Sequence, residues 1–387
     1  MSSSCPACGS SRRLEFFRRE AVPIHQHLLH SSAAEARSAP RGALDLARCE
    51  DCAFVWNRAF RPELLTYVPG YDNDASGSAR FRRHTGDRIE AILADPIQGR
   101  SILEIGCGSG AFLRRLCRRG GNRGIGLDPA LVPSPGDEDD RVELRREAFH
   151  AGERLPSAQI IVCRHLIEHL AEPVSLVRAI ARALGAGPGG VVYLETPSLE
   201  WIVDHDAFWD FFYEHCGYFT EAALRAVLAR AGLEAIELSR VFDGQYWWVK
   251  ATLAREPAVP SPPTAIPLPP IDRFVERQAR ALADWHDRIA ALSAERSIVV
   301  WGAGAKGTTF VQLVDPQAER IDALVDVHPG KQSRYVPGSG HRIERPEWLQ
   351  SGPPRTALVM NPAYVEEIRA WLDQHGSPVL LEATGSA

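Results

Sequence analysis

Two apolar runs break into glycine and then into helix, at residues 101–110 and again at 298–307. The first reads Ser101-Ile-Leu-Glu104-Ile-Gly106-Cys107-Gly108-Ser-Gly110 and the second Ile298-Val-Val-Trp-Gly302-Ala-Gly304-Ala-Lys306-Gly307. A strand that turns through glycine into a helix presents backbone N–H groups to a nucleotide-like ligand. Around the first turn, strand-like runs at 102–105, 124–127, 160–163 and 191–195 alternate with helical stretches at 87–93, 111–119 and 174–184. Such alternation predicts a mostly parallel sheet covered by helices on both faces. A second alternating region starts at 298. The expected fold is therefore α/β, with two Rossmann-like doubly wound domains.

At 387 residues the chain exceeds one average domain. The segment 256–270 carries so much proline that it can neither continue a helix nor join a central strand, and it reads as a semi-rigid linker. The resulting division is a small module over 1–80, a first sheet domain over 81–255, linker and helix over 256–296, and a second sheet domain over 297–387. A net charge of −5 argues against a nucleic-acid surface. The cluster Arg114, Arg115, Arg118 and Arg119 reads as the solvated face of one helix. No run reaches the apolar length of a membrane span and the N-terminus lacks the pattern of a signal peptide, so a cytoplasmic location is expected.

Four of the eight cysteines are paired as Cys5-x-x-Cys8 and Cys49-x-x-Cys52. In a chain without a secretory signal, two such knuckles suggest a metal rather than disulfides. Four thiolates make a closed tetrahedral zinc site with no position left for water, so the ion is expected to be structural. Cys107, Cys117, Cys163 and Cys216 are scattered, and nothing near Cys216 suggests a lowered thiol pKa.

The first glycine turn lacks the third-glycine spacing of the dinucleotide fingerprint. An acidic residue followed by Gly-x-Gly-x-Gly instead resembles the first motif of class I S-adenosylmethionine (SAM) methyltransferases. That resemblance implies cofactor contacts from Glu104, Gly106, Cys107, Gly108 and Gly110. Asp128, closing the next strand in Gly-Ile-Gly-Leu-Asp, is placed to accept from both ribose hydroxyls. Downstream, Cys163-Arg-His165-Leu-Ile-Glu168-His169 is similar to a His-x-x-Glu-His run that borders the cofactor in many such enzymes. His165 is expected in the cleft, His169 as a packed or capping residue, and Glu195 in a structural role. The His-Glu-x-x-His order of zinc proteases is absent, so no metal is expected here.

The stretch Trp209-Asp-Phe-Phe212-Tyr213-Glu214-His215-Cys216-Gly-Tyr218 combines aromatics with a carboxylate and an imidazole. Imidazole is suited to proton abstraction near neutrality, and aromatic faces suit a sulfonium. With the cysteine knuckles, Glu104-Ile-Gly-Cys-Gly-Ser-Gly and the later Asp326-Val-His-Pro-Gly-Lys331 and Val336-Pro-Gly-Ser-Gly-His341, this stretch resembles the SAM-dependent C-methyltransferases of deoxysugar biosynthesis. The resemblance spans nearly the whole chain. It implies a nucleotide-linked keto-sugar as substrate, His215 as base oriented by Glu214, and Tyr71 or Tyr213 stabilising an oxyanion. The chain departs from the family where Phe212 stands in place of a tyrosine. It departs again where Pro23-Ile-His25-Gln26-His27 replaces a Pro-Leu-Ala-Asn run. A methyltransferase of another natural-product intermediate is the neighbouring reading.

The second glycine turn points elsewhere. Gly302-x-Gly304-x-x-Gly307, with Asp326 closing a later strand, satisfies the dinucleotide fingerprint and, taken alone, predicts an NAD-dependent oxidoreductase. Lys306 inside the loop instead favours a substrate phosphate, with Gly304 beside it.

Overall fold

The computed structural model describes residues 4–67, 71, 75–132, 139–184, 189–255 and 271–383. The N-terminal part is a long antiparallel hairpin of β1 (Arg13–Pro23) and β2 (Arg41–Cys49), crossed by the short helix α1 (Ala33–Arg37) and followed by β3 (Val55–Asn57). The hairpin sets the knuckles side by side, because Cys49 pairs in register with Arg13, just after the turn that holds Cys5 and Cys8.

The first sheet domain runs α2 (Ala79–Leu93), β4 (Ser101–Ile105), α3 (Ala111–Gly120), β5 (Arg123–Leu127), β6 (Val142–Arg145) and β7 (Ile160–Arg164). It continues through α4 (Pro173–Ala183), β8 (Val191–Pro197), α5 (Leu199–Asp204), β9 (Gly217–Tyr218), α6 (Glu221–Ala231), β10 (Leu233–Val241) and β11 (Tyr246–Leu253). Seven strands form one sheet in the order β10-β11-β8-β7-β4-β5-β6, parallel except where β11 runs against β8 and β10. The sheet is wound outward in both directions from β4, whose neighbours are β5 and β7. In such sheets ligands sit beyond the carboxyl ends of the strands at this switch point. Residues 160–163 are buried on both faces, which accounts for their unbroken apolar run.

The C-terminal domain follows α7 (Ile271–Glu295) and comprises β12 (Ser297–Trp301), α8 (Ala305–Val314), β13 (Ile321–Val325), β14 (Ile343–Glu344), β15 (Arg355–Val359), α9 (Val365–Gln374) and β16 (Val379–Ala383). Its five strands are all parallel, in the order β14-β13-β12-β15-β16, so a second switch point lies at the end of β12. Both doubly wound domains are as expected. Among the described residues no helix is long and apolar enough to cross a membrane.

Two expectations change. The first helix begins at Ala79 rather than near 87, because Ser78 caps it and Glu367 of α9 accepts from the N–H groups of Ala79 and Arg80. The arginines of its first turns hide the helical periodicity. The module expected over 1–80 is not self-contained: β9 supplies its fourth strand, Val55 pairing with Tyr218. The proline-rich 256–270 lies outside the described residues, and the helix after it spans Ile271–Glu295.

Candidate active site

The loop after β4 turns through Gly106 (φ +76°), Gly108 (φ +54°) and Gly110 (φ +79°), values that L side chains rarely adopt. A Cβ at Gly108 would meet nothing within 4 Å, so the backbone there faces open space that a ligand can approach. Gly110 is the N-cap of α3. Asp128, at the end of β5, accepts from the Gly108 N–H at 2.8 Å and the Ala130 N–H at 2.8 Å, which ties the two strand ends together. Glu104 is buried, and its Oε2 has no hydrogen-bond partner. Burial pushes its pKa up to about 8 against the opposing pull of Arg164. Burial likewise raises the Cys107 thiol, so this cysteine lines a turn and is no nucleophile. A spare buried carboxylate oxygen, bare backbone at Gly108 and an acid closing the next strand fit the charged amino-acid end and ribose of SAM.

A cavity of about 360 Å³ opens between the two sheet domains. Tyr71, His165, Glu168, His169 and His215 line one side, with Trp301, Gly304, Lys306, Asp326 and Lys331 on the other. His215 is held by ring contacts: Phe212 lies 4.1 Å away between centroids and His169 4.8 Å, edge to face. Burial, then the neighbouring His169 and His165, push its pKa well below the ordinary value, so the imidazole is neutral.

Glu214 does not orient His215. Its carboxylate accepts from the Gln26 N–H at 2.7 Å and lies 3.4 Å from His25 Nδ1. Burial alone would raise the Glu214 pKa, but His25 and the fields of His27 and His169 draw it below the ordinary value. Consecutive side chains on an extended turn point apart, so Glu214 faces inward to the segment 23–27 while its neighbour faces the cavity. Tyr71 packs against His25 and His27, and burial, followed by the nearby Glu214 charge, raises its pKa well above the ordinary value. Tyr213 does not reach the cavity: its hydroxyl accepts from the Arg61 N–H at 2.9 Å and its ring packs on Phe60. His25 and Gln26 are thus the residues that hold Glu214.

His165 sits at φ +51°, directly after β7, with its ring edge-on to Tyr246. Burial lowers its pKa to about 4. Glu195 has the structural place expected of it, bound to His84 Nε2 at 2.5 Å and Arg164 Nε at 2.8 Å. Glu168 is buried, with Oε2 accepting from Thr196 Oγ1 at 3.0 Å and Oε1 without a hydrogen bond, 3.8 Å from His165 Nδ1; burial raises its pKa to about 8. His169, expected as a packed or capping residue, faces the cavity and shares Nδ1 with the Tyr67 hydroxyl at 3.0 Å. No local sequence signal marks Tyr67.

Across the cavity, Gly304 caps α8. The third glycine of this loop is sterically required, since a Cβ at Gly307 would fall 2.0 Å from the Gly302 carbonyl oxygen. Asp326 accepts from Ala303 N–H at 2.7 Å and His328 N–H at 2.8 Å, closing the loop as Asp128 closes the first. Lys306 lines the cavity and is already paired within the protein. It bonds to Asp210 and lies 4.6 Å above the Trp201 ring. Lys331, not anticipated, is buried on the same wall.

The four knuckle cysteines converge as expected. Their sulfurs all lie within 4.8 Å of one another, with Cys5–Cys52 at 3.7 Å and Cys8–Cys49 at 3.4 Å. Sulfurs about 2.3 Å from a tetrahedral zinc are about 3.8 Å apart, so the donor set and spacing fit that ion.

Comparison with known proteins accords with this geometry. Residues 78–238 match the model of a methyltransferase domain and residues 270–377 that of a C-methyltransferase C-terminal domain. The chain is a SAM-dependent methyltransferase. It carries both the catalytic domain and the C-terminal domain that marks C-methyltransferases. It is 24% identical over 389 residues to the C-methyltransferase NovU of Streptomyces niveus, covering 94% of this chain and 90% of that one. Against the ubiquinone biosynthesis O-methyltransferase of Aeromonas salmonicida it is 33% identical over 105 residues, covering 25% of this chain and 43% of that one. A SAM-dependent methyltransferase from Mesorhizobium loti aligns in structure at 16% identity and a TM-score of 0.36, covering 43% of this chain and 97% of that one.

Proposed function

We propose that the protein methylates carbon: it transfers the SAM methyl to the position next to the ketone of a nucleotide-linked keto-deoxysugar, with His215 as base. The observation that supports this reading is the position of His215, an imidazole kept neutral by burial, on the wall of a cavity that also takes in Gly302, Gly304 and Lys306 of the second glycine loop. SAM, when bound, supplies an electrophilic methyl group at a sulfonium. Glu104, Gly106, Gly108 and Asp128 would hold it at the first switch point. His215 takes the proton from the substrate carbon and leaves an enolate, and the Tyr71 hydroxyl donates to the developing oxyanion. Enclosure between the domains excludes water and holds the two reactants in line. The second glycine loop, with Gly304 at the start of α8, takes the nucleotide portion of the substrate.

The four-cysteine site is read as structural zinc. A cytoplasmic setting belongs to the same reading, since there such thiols stay reduced. The working division into 1–80, 81–255, 256–296 and 297–387 is kept, with β9 counted to the first unit.

The test is a mass-spectrometric screen for a one-methyl gain across nucleotide-linked keto-sugars, with titration of SAM, NAD and dTDP alongside. In deuterated water without SAM, the wild type should exchange the proton next to the ketone. A His215→Ala protein that binds SAM normally and still exchanges at the wild-type rate rules the base out. Tight NAD binding with no SAM binding would instead select the oxidoreductase reading.

A further inference from the structure

Among the described residues, two clusters of cysteine, histidine and carboxylate side chains bring ligand atoms within 4.8 Å of one another. One is the four-cysteine site. The other is Glu168, His169 and His215, on the cavity wall. We infer that this second cluster is a site for one divalent first-row transition-metal ion of the zinc, cobalt and nickel kind.

Each ligand is prepared for the role. The Glu168 carboxylate is anchored through one oxygen to Thr196 at 3.0 Å, while the other is buried without a hydrogen bond, 3.8 Å from His165 Nδ1. An orphaned buried oxygen is costly, and an ion would satisfy it. His169 commits Nδ1 to the Tyr67 hydroxyl at 3.0 Å, which leaves Nε2 for a metal. Outer partners of this kind, on a ligating carboxylate and a ligating imidazole, are what orient metal ligands. The third ligand comes from a remote stretch, on the turn before β9. Two imidazoles and one carboxylate suit zinc-like ions, whereas calcium and magnesium prefer all-oxygen sets. Three protein ligands with one side open to a cavity leave a coordination position for a small molecule. Ligand atoms about 2.1 Å from a tetrahedral ion lie about 3.4 Å apart, so the three side chains need to draw in by little more than about an ångström.

The consequence rests on the reading of His215 as base. A nitrogen that holds an ion cannot accept a proton, so the ion and turnover exclude each other. The site itself does not depend on that reading.

The experiment uses the full chain with its cysteine site filled by zinc, titrated with Co²⁺. One further ion per chain is expected, with visible d–d absorption and no thiolate charge-transfer band. Glu168→Gln and His169→Ala should each weaken it tenfold or more, and Tyr67→Phe about tenfold through the outer shell. SAM titration of each variant verifies that it is folded. Methyl transfer should fall in step with cobalt occupancy and return when the cobalt is dialysed away with the zinc content unchanged. Absence of a second ion, a thiolate band on it, or unchanged affinity in a folded His169→Ala protein overturns the site and leaves the base assignment standing. A second ion that leaves turnover unchanged confirms the site and removes His215 as base.

Discussion

Replacing Glu214 by glutamine separates the structural role found for this carboxylate from the catalytic role its sequence neighbour suggests. One Glu214 oxygen accepts from the Gln26 N–H at 2.7 Å and the other faces His25 Nδ1 at 3.4 Å; neither is bonded to His215. The amide keeps one acceptor for Gln26 but loses the charge. A hydrogen bond to a charged group is worth about 1.5–3 kcal/mol and a neutral one about 0.5–1.5 kcal/mol, so the substitution should cost about 1–2 kcal/mol of stability. Tyr71 packs against His25, which in turn faces this carboxylate, so turnover should drop as well, by about tenfold if the loss is about 1.4 kcal/mol. Denaturant unfolding measures the first effect and proton exchange next to the ketone the second. His215→Ala should do the opposite, with exchange abolished and the midpoint little moved. If Glu214→Gln abolished exchange as completely as His215→Ala, left stability intact, and the double variant were no worse than either single one, the two residues would act as one unit. Glu214 would then belong to the catalytic machinery.

Three further outcomes follow from the same contacts. Stripping the metal from the four-cysteine site should abolish methyl transfer as well as loosen the N-terminal hairpin, because β9 pairs with β3 two residues after His215; zinc content and activity should fall together. Lys306→Met should impair the protein through an unpaired Asp210, so the Lys306→Met, Asp210→Asn double variant should recover stability lost by the single one. Recovery of KM for the nucleotide-sugar along with stability would agree with pairing to Asp210, while a KM defect unaffected by the second change would place Lys306 on the phosphate. Asp315 accepts from three N–H groups at the end of α8 and from His341 at 3.1 Å. Burial alone would raise its pKa, but these donors outweigh burial and hold it below the ordinary value. Its contribution is therefore complete above the unfolded-state pKa of about 3.9 and fades as pH falls below it, so Asp315→Asn should destabilise at neutral pH and matter progressively less in acid.

The glycine turns, the acids that close the neighbouring strands and the cysteine knuckles were legible in the chain because each packs its chemistry into a few consecutive residues. Glycine at a left-handed position, an acid at a strand end and a two-residue gap between thiols mean the same thing in any context. The doubly wound order followed from strands alternating with helices. The sequence could not decide what each side chain meets across the fold. Glu214 and His215 are adjacent, yet a one-residue step turns one toward 23–27 and the other toward the cavity. Lys306 sits in a phosphate-like loop, but folding brings Asp210 to it first. Glu168 and His169 gave no expectation of a metal in the sequence, and only the fold brings His215 within 4.8 Å of both. Local backbone chemistry is written residue by residue, whereas partners drawn from distant stretches exist only once burial has forced those stretches together.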